Sequence, residues 1–121
     1  MARGDVVVFN ESKAYLIEGG WEAADDIKVA ICDNTTTPTA ATVTPALGDF
    51  TQVGSAGSYV AGGTSLGNIG TLTTQAGGTV TFDSATNPSW AQNASNDVDA
   101  YWGIIYNDTD ASKRALGYIE L

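Results

Sequence analysis

The sequence predicts a mainly β fold: an antiparallel β-sandwich of jelly-roll type, or a barrel, with one short N-terminal helix. Three observations carry this expectation. β-Branched and aromatic residues fall in about seven short runs separated by Gly, Asn, Asp, Ser and Pro, the pattern of many strands joined by turns. Glycine is high at 14 residues, and Thr, Ser and Asn are abundant, which suits turns better than long helices. Finally, Asn96 to Leu121 reads as a long strand, a polar turn (Asp108 to Arg114) and a second strand (Ala115 to Leu121). In that first strand Val98, Ala100, Trp102, Ile104 and Tyr106 share one face; Asp99, Tyr101, Gly103, Ile105 and Asn107 share the other. A strand with apolar residues on both faces belongs at the centre of its sheet, covered on both sides.

The remaining elements follow in order. Asp5 to Phe9 is a β-branched run and a strand. Asn10 is placed to cap a helix over Glu11 to Glu18, and Gly19-Gly20 stops it. Trp21 anchors the connection to Asp26–Asp33, a strand with Ile27, Val29 and Ile31 on one face and Lys28, Ala30 and Cys32 on the other. Residues 34–48, rich in Thr and carrying Pro38 and Pro45, read as a long exposed loop. Gly62-Gly63 marks a turn or bulge that needs positive φ. Asn68–Thr74 and Gly78–Asp83 read as two strands joined at Gln75 to Gly78, with Val80 and Phe82 pointing inward. The chain then bends at Asn87-Pro88 and packs Trp90. No repeat or second core is implied, so residues 1–121 form one domain with an N-terminal arm at 1–4.

Charge narrows the function classes. Five basic against 14 acidic residues leave a net charge of −9, which opposes nucleic-acid phosphates and anionic membranes. No stretch reaches the ~18 apolar residues of a membrane span, and Val6 to Phe9 is too short for a signal-peptide core. The expected location is therefore the cytoplasm, or an assembly formed there. The sequence has no histidine, which removes the commonest general base and metal ligand. The one cysteine, Cys32, lies in an apolar run and reads as a small buried residue.

Several patterns fall short of chemistry. The glycines at 62, 63, 67 and 70 are not followed by Gly-Lys-Ser/Thr, so they make no phosphate cradle. Asn96-Asp-Val-Asp99 and Asn107-Asp-Thr-Asp110 lack the glycine and closing glutamate of an EF-hand loop and read as turn residues. The four Asn-x-Ser/Thr sequons, at Asn10, Asn34, Asn93 and Asn107, have no secretory context. Tyr101, Trp102, Tyr106 and Tyr118 could offer rings for sugars, but at strand spacing they read as core and cross-strand pairs. No catalytic residue, cofactor or metal is expected, and the chain does not read as an enzyme.

Three segments, taken in order, carry a resemblance to one known family. The first is the glycine-terminated helix and its following Asp-Ile-Lys-Val-Ala-Ile strand, Glu11 to Cys32. The second is Gly57-Ser-Tyr-Val-Ala-Gly-Gly-Thr-Ser-Leu66, similar to that family's Gly-Tyr-x-x-Gly-Gly-x-x-Leu segment. The third is Thr81-Phe-Asp83, Trp90, the Ala100-x-x-Gly-Ile-Ile-Tyr-Asn-Asp108 strand and the closing Ala115-Leu-Gly-Tyr-Ile-Glu-Leu121. Together the three segments resemble a family of small tailed-phage virion proteins of the head decoration or cement kind; the chain departs from that pattern in Ser58 before Tyr59, in the Asn87-Pro88 bend and in the Thr/Pro loop.

The resemblance implies a non-enzymatic structural protein. The leading expectation is a capsid decoration protein that binds the major capsid protein of a tailed phage, stabilises the assembled head and self-associates. The alternatives are a tail, connector or fibre-associated protein, and a carbohydrate-binding β-sandwich using Trp90, Tyr101 and Trp102. The expected contact residues are Met1, Ala2, Arg3 and Gly4 in the arm, and Thr35, Thr36, Thr37, Pro38 and Pro45 in the loop.

Overall fold

A computed structural model of the chain describes residues 2–95 and 99–121. Among these residues are seven strands: β1 (Val6–Val8), β2 (Asp26–Cys32), β3 (Thr64–Asn68), β4 (Thr73–Ala76), β5 (Thr79–Phe82), β6 (Trp102–Asn107) and β7 (Ala115–Glu120). Two helices join them, α1 (Asn10–Ile17) and the single turn α2 (Ile69–Leu72), with a 3-10 turn at Leu47–Asp49. The fold is mainly β, with two antiparallel sheets. One has five strands in the order β1-β7-β6-β2-β3; the other is the hairpin β4-β5.

The terminal hairpin organises the large sheet as its two-faced pattern requires. β6 is central, between β7 and β2, and every residue from Trp102 to Asn107 is buried. On one face Trp102, Ile104 and Tyr106 join Phe9, Ala30, Cys32, Phe50, Ala115 and Tyr118. On the other, Ile105 joins Ile27, Val29 and Leu72, with Ile69, Leu66 and Trp90 packed against them. The first face is closed by α1 and Leu47–Phe50, the second by α2 and Trp90. Asn96, Asp97 and Val98, included in the expected strand, lie outside the described residues.

Helix α1 ends as its glycines dictate. Gly19 takes φ +80, its N–H donates to Leu16 O at 3.2 Å, and Gly20 N–H donates to Tyr15 O at 2.8 Å. These are the two bonds of a Schellman cap. The start differs from expectation. Phe9, not Asn10, holds the cap position, and no side chain caps the helix. Asn10 is instead the first helical residue, and its N–H, which has no partner within the helix, donates to Ala40 O at 2.8 Å. The helix also buries Ser12, whose hydroxyl donates to Ala115 O at 2.5 Å, while Leu16 and Ile17 stay exposed.

Two further expectations are corrected. Residues 68–74 do not form one strand, because Ile69 and Gly70 N–H groups donate to Asp25 O and Ala23 O, at 3.0 and 2.9 Å. Those carbonyls satisfy donors that a helix start leaves free, and the chain makes one helical turn there. Val80 and Phe82 do not point into the core. All eight residues of β4 and β5 are exposed, with Val80 at 66% and Phe82 at 42%.

Candidate functional site

The contact residues expected from sequence fall into two sets, which the large sheet brings to one end. β1 begins opposite Ile119, Glu120 lies opposite Trp102, and Trp102 opposite Cys32. The arm before β1 and the loop after β2 therefore leave the sheet at the same end. In the arm, Asp5 N–H donates to Ala2 O, Ala2 N–H to Asp5 Oδ2 (both 3.1 Å), and Gly4 N–H to Glu120 O at 2.9 Å. Ala2, Arg3 and Gly4 are exposed, in a turn rather than an extended arm; Met1 lies outside the described residues.

Thr35, Thr36 and Thr37 are exposed, and Asp33 Oδ1 accepts the Thr35 N–H at 2.8 Å. Val6 (55%), Tyr101 (43%) and Leu121 (41%) add exposed apolar surface to the same end of the sheet. The two prolines are a correction. Pro38 and Pro45 are buried, and Pro45 O accepts the Ala115 N–H at 2.8 Å. Glu11 Oε2 accepts the Thr44 N–H at 2.7 Å, and Leu47 N–H donates to Lys113 O at 2.9 Å. The segment is thus a cover strapped along one core face, exposed in part. Prolines suit it because they fix backbone without requiring an N–H partner.

Tyr59, from the second resemblance segment, is buried, and its hydroxyl links three parts of the chain. It donates to Gln52 Oε1 at 2.6 Å and accepts the Ile31 N–H at 3.2 Å. Gln52 Oε1 also accepts the Gly62 N–H, and Tyr106 O–H donates to Gly62 O, each at 2.6 Å. Burial pushes both tyrosine hydroxyls up to about 12, so both keep their protons as donors. Gly62 and Gly63 take φ +93 and +73, the positive values expected. At Gly63 the backbone lies so close to β2 that a Cβ would stand 1.8 Å from Val29 O. The Gly-Gly pair is a close-approach joint that seats β3 on β2.

The polar cleft of about 240 Å³ lined by Gly20, Glu22, Asp25, Asn107, Thr109 and Asp110 is the other place where chemistry could gather. Much of its polar lining is engaged in the fold. Asn107 Nδ2 donates to Asp25 Oδ2 at 2.7 Å, which also accepts the Glu22 N–H at 2.9 Å. Asn107 Oδ1 accepts the Thr109 and Asp110 N–H groups, and Asp110 Oδ2 accepts those of Ser112 and Arg114. These are side chains closing turns. Among the described residues no three acidic or cysteine side chains converge in a way that would hold a metal ion. Cys32 is fully buried, and its thiol is pushed up to about 12 by that burial and then by Asp33.

The aromatic residues do not make a sugar platform. Trp102 is buried edge-on to Tyr118 at 6.0 Å, and Trp90 is half-buried edge-on to Tyr59 at 5.6 Å. Tyr101 alone of the three expected rings is exposed. A planar row of accessible rings, which sugar stacking needs, is absent among the described residues.

Sequence reasoning passed over the β4-β5 hairpin as a surface, taking it for core. A signal was present: no Asp, Glu, Lys or Arg occurs from Phe50 to Phe82, a run of 33 residues in a chain of net charge −9. Set against family models, curated proteins and solved structures, the chain matches none of them.

Proposed function

We propose that this chain is a structural protein of a tailed-phage virion, and within the virion a decoration protein that binds the assembled head lattice. The observation that carries the reading is the common end of the sheet, where Ala2–Gly4, Thr35–Thr37, Val6, Tyr101 and Leu121 are exposed together. Its mixture of main-chain groups, hydroxyls and scattered apolar side chains suits shallow contact with another protein. Many weak contacts repeated by lattice symmetry would give strong retention without a deep pocket. The resemblance described above supports the same reading, because its segments supply the central sheet and the Tyr59–Gly63 joint.

The test is the copy number of the protein relative to the major capsid protein in purified particles, by quantitative mass spectrometry. Decoration predicts a copy number comparable with that of the capsid protein. A count of only a few copies per particle moves the protein to the tail or connector, and absence from particles overturns the virion reading. Replacing Thr35, Thr36 and Thr37 together by glycine, with Pro38 and Pro45 kept, should lower occupancy on heads. Unchanged occupancy would remove that loop from the contact.

A further inference from the structure

We infer that the β4-β5 hairpin is a self-association element, and that a second copy of this chain pairs with it along the free edge of β5. The hairpin is exposed on both faces. A two-stranded hairpin without a covering layer is marginal in water, so its order is best served by a partner. Its edges also lack the usual protection. The edge strand β1 has only three residues, and β3 carries a bulge where Leu66 has no partner between Ser65 and Gly67. Thr73 to Phe82, by contrast, pair in regular register with no charge, no proline and no bulge. An edge of that kind is a template for another strand.

Charge identifies the occupant. Two copies of a −9 protein repel over most of their surface, so contact between them is least opposed where neither carries charge. The 33-residue run from Phe50 to Phe82 is such a window, and the hairpin is its most exposed part. A basic partner would instead be drawn to the acidic remainder of the surface.

The sequence of β5 is also self-complementary. About a two-fold axis normal to the sheet, Thr81 falls opposite Thr81 of the other copy, and Val80 opposite Phe82. Val80 and Phe82 share one face, so both copies together build an apolar block of four side chains on a four-stranded sheet. Thr–Thr and aliphatic–aromatic cross-strand pairs are favourable neighbours. The contact is isologous and closes at two copies. This pairing does not depend on the virion reading, because it forms or fails in solution without a capsid.

Sedimentation velocity across low to high micromolar concentration tests it, using wild type, Thr81→Lys and Thr81→Glu. Thr81 is exposed, so both variants should keep the wild-type circular dichroism and melting temperature. Wild type should dimerise reversibly. Each variant, with like charges facing across the axis, should associate about tenfold more weakly or worse. An equimolar mixture of the two should recover the dimer, which a merely damaged variant would not do. If either variant fails to fold, concentration-dependent amide-exchange protection at Val80 and Phe82 of wild type, whose N–H groups face the free edge because those of Thr79 and Thr81 face β4, replaces it. A wild type monomeric at every concentration, variants that dimerise like wild type, a mixture that stays monomeric, or exchange at these amides independent of concentration would each overturn the proposal.

Discussion

Replacing Gly63 by alanine isolates the close approach on which the β2–β3 edge depends. Two effects operate at this position. Gly63 has φ +73, where an L-residue pays about 1 kcal/mol. The added Cβ would also lie 1.8 Å from Val29 O, 2.6 Å from Val29 C and 2.9 Å from Ala30 Cα. All three are backbone atoms of β2, which is held by ladders to β6 and β3 and does not yield easily. The 60–64 segment must retreat instead, taking Gly62 with it. That strains the bonds from Tyr106 O–H to Gly62 O and from Gly62 N–H to Gln52, each worth roughly 0.5–1.5 kcal/mol. The expected loss is about 2–4 kcal/mol. Gly78→Ala is the control. Gly78 has φ +80 but nothing within 4 Å of its Cβ position, so only the conformational part, about 1 kcal/mol, should appear. Urea unfolding followed by circular dichroism reads the difference, with equal slopes required of both variants. In melting temperature it amounts to roughly 3–5 °C per kcal/mol for a domain of this size. Equal losses at the two glycines would refute the close-approach argument and leave backbone strain as the only cause.

The other predictions concern titratable groups. Cys32, fully buried with its thiol raised to about 12, should resist a disulfide reagent at pH 8 in the folded protein and react stoichiometrically in urea; rapid labelling of native protein would contradict its burial. Asp108 pairs with Lys28 at 2.9 Å and Lys113 at 3.0 Å, and hydrogen bonds from Lys28 and then Lys113 hold its carboxyl below the usual aspartate value. A depressed carboxylate stabilises above its unfolded value and loses that contribution as pH falls through the folded one. The melting-temperature gap between wild type and Asp108→Asn should therefore be widest above about pH 4 and close on further acidification. A gap that is constant from neutral to strongly acidic pH would show that the ion pairs do not contribute.

The centre of the fold was legible because β6 has a pattern that few other positions accept. Trp102, Ile104 and Tyr106 alternate with Gly103 and Ile105, so both faces demand cover, and only a central strand supplies it. Gly19-Gly20 and Gly62-Gly63 were legible for a different reason, since they mark backbone that other residues strain to adopt. The α2 turn was hidden because Asn68 to Thr74 has strand-like residues. What decides it is a pair of bonds to Ala23 and Asp25 carbonyls more than 40 positions away. Val80 and Phe82 show a second limit. Alternation tells which residues share a face but not whether anything covers that face, and here none of the described residues does. The buried prolines misled for a similar reason. Pro38 and Pro45 exclude a central strand, as expected, yet a loop without regular structure can still be packed as a cover.

The two proposed surfaces lie apart in the topology, and that separation has a consequence. The arm and Thr35–Thr37 leave the sheet where Cys32, Trp102 and Glu120 meet. The hairpin follows α2 from the other end, where Asn68 lies opposite Asp26 and Ile27 opposite Asn107. Pairing through β5 would therefore use none of the residues at the arm end, and a dimer would carry two uncovered copies of that surface. Once one copy of the surface engages a lattice, the other is held near its next site at an effective concentration set by the dimer's geometry. Retention on a head would then depend on the hairpin although the hairpin touches no capsid residue. A Thr81→Lys chain with an intact arm and loop would bind each site as before, yet leave the particle faster than wild type.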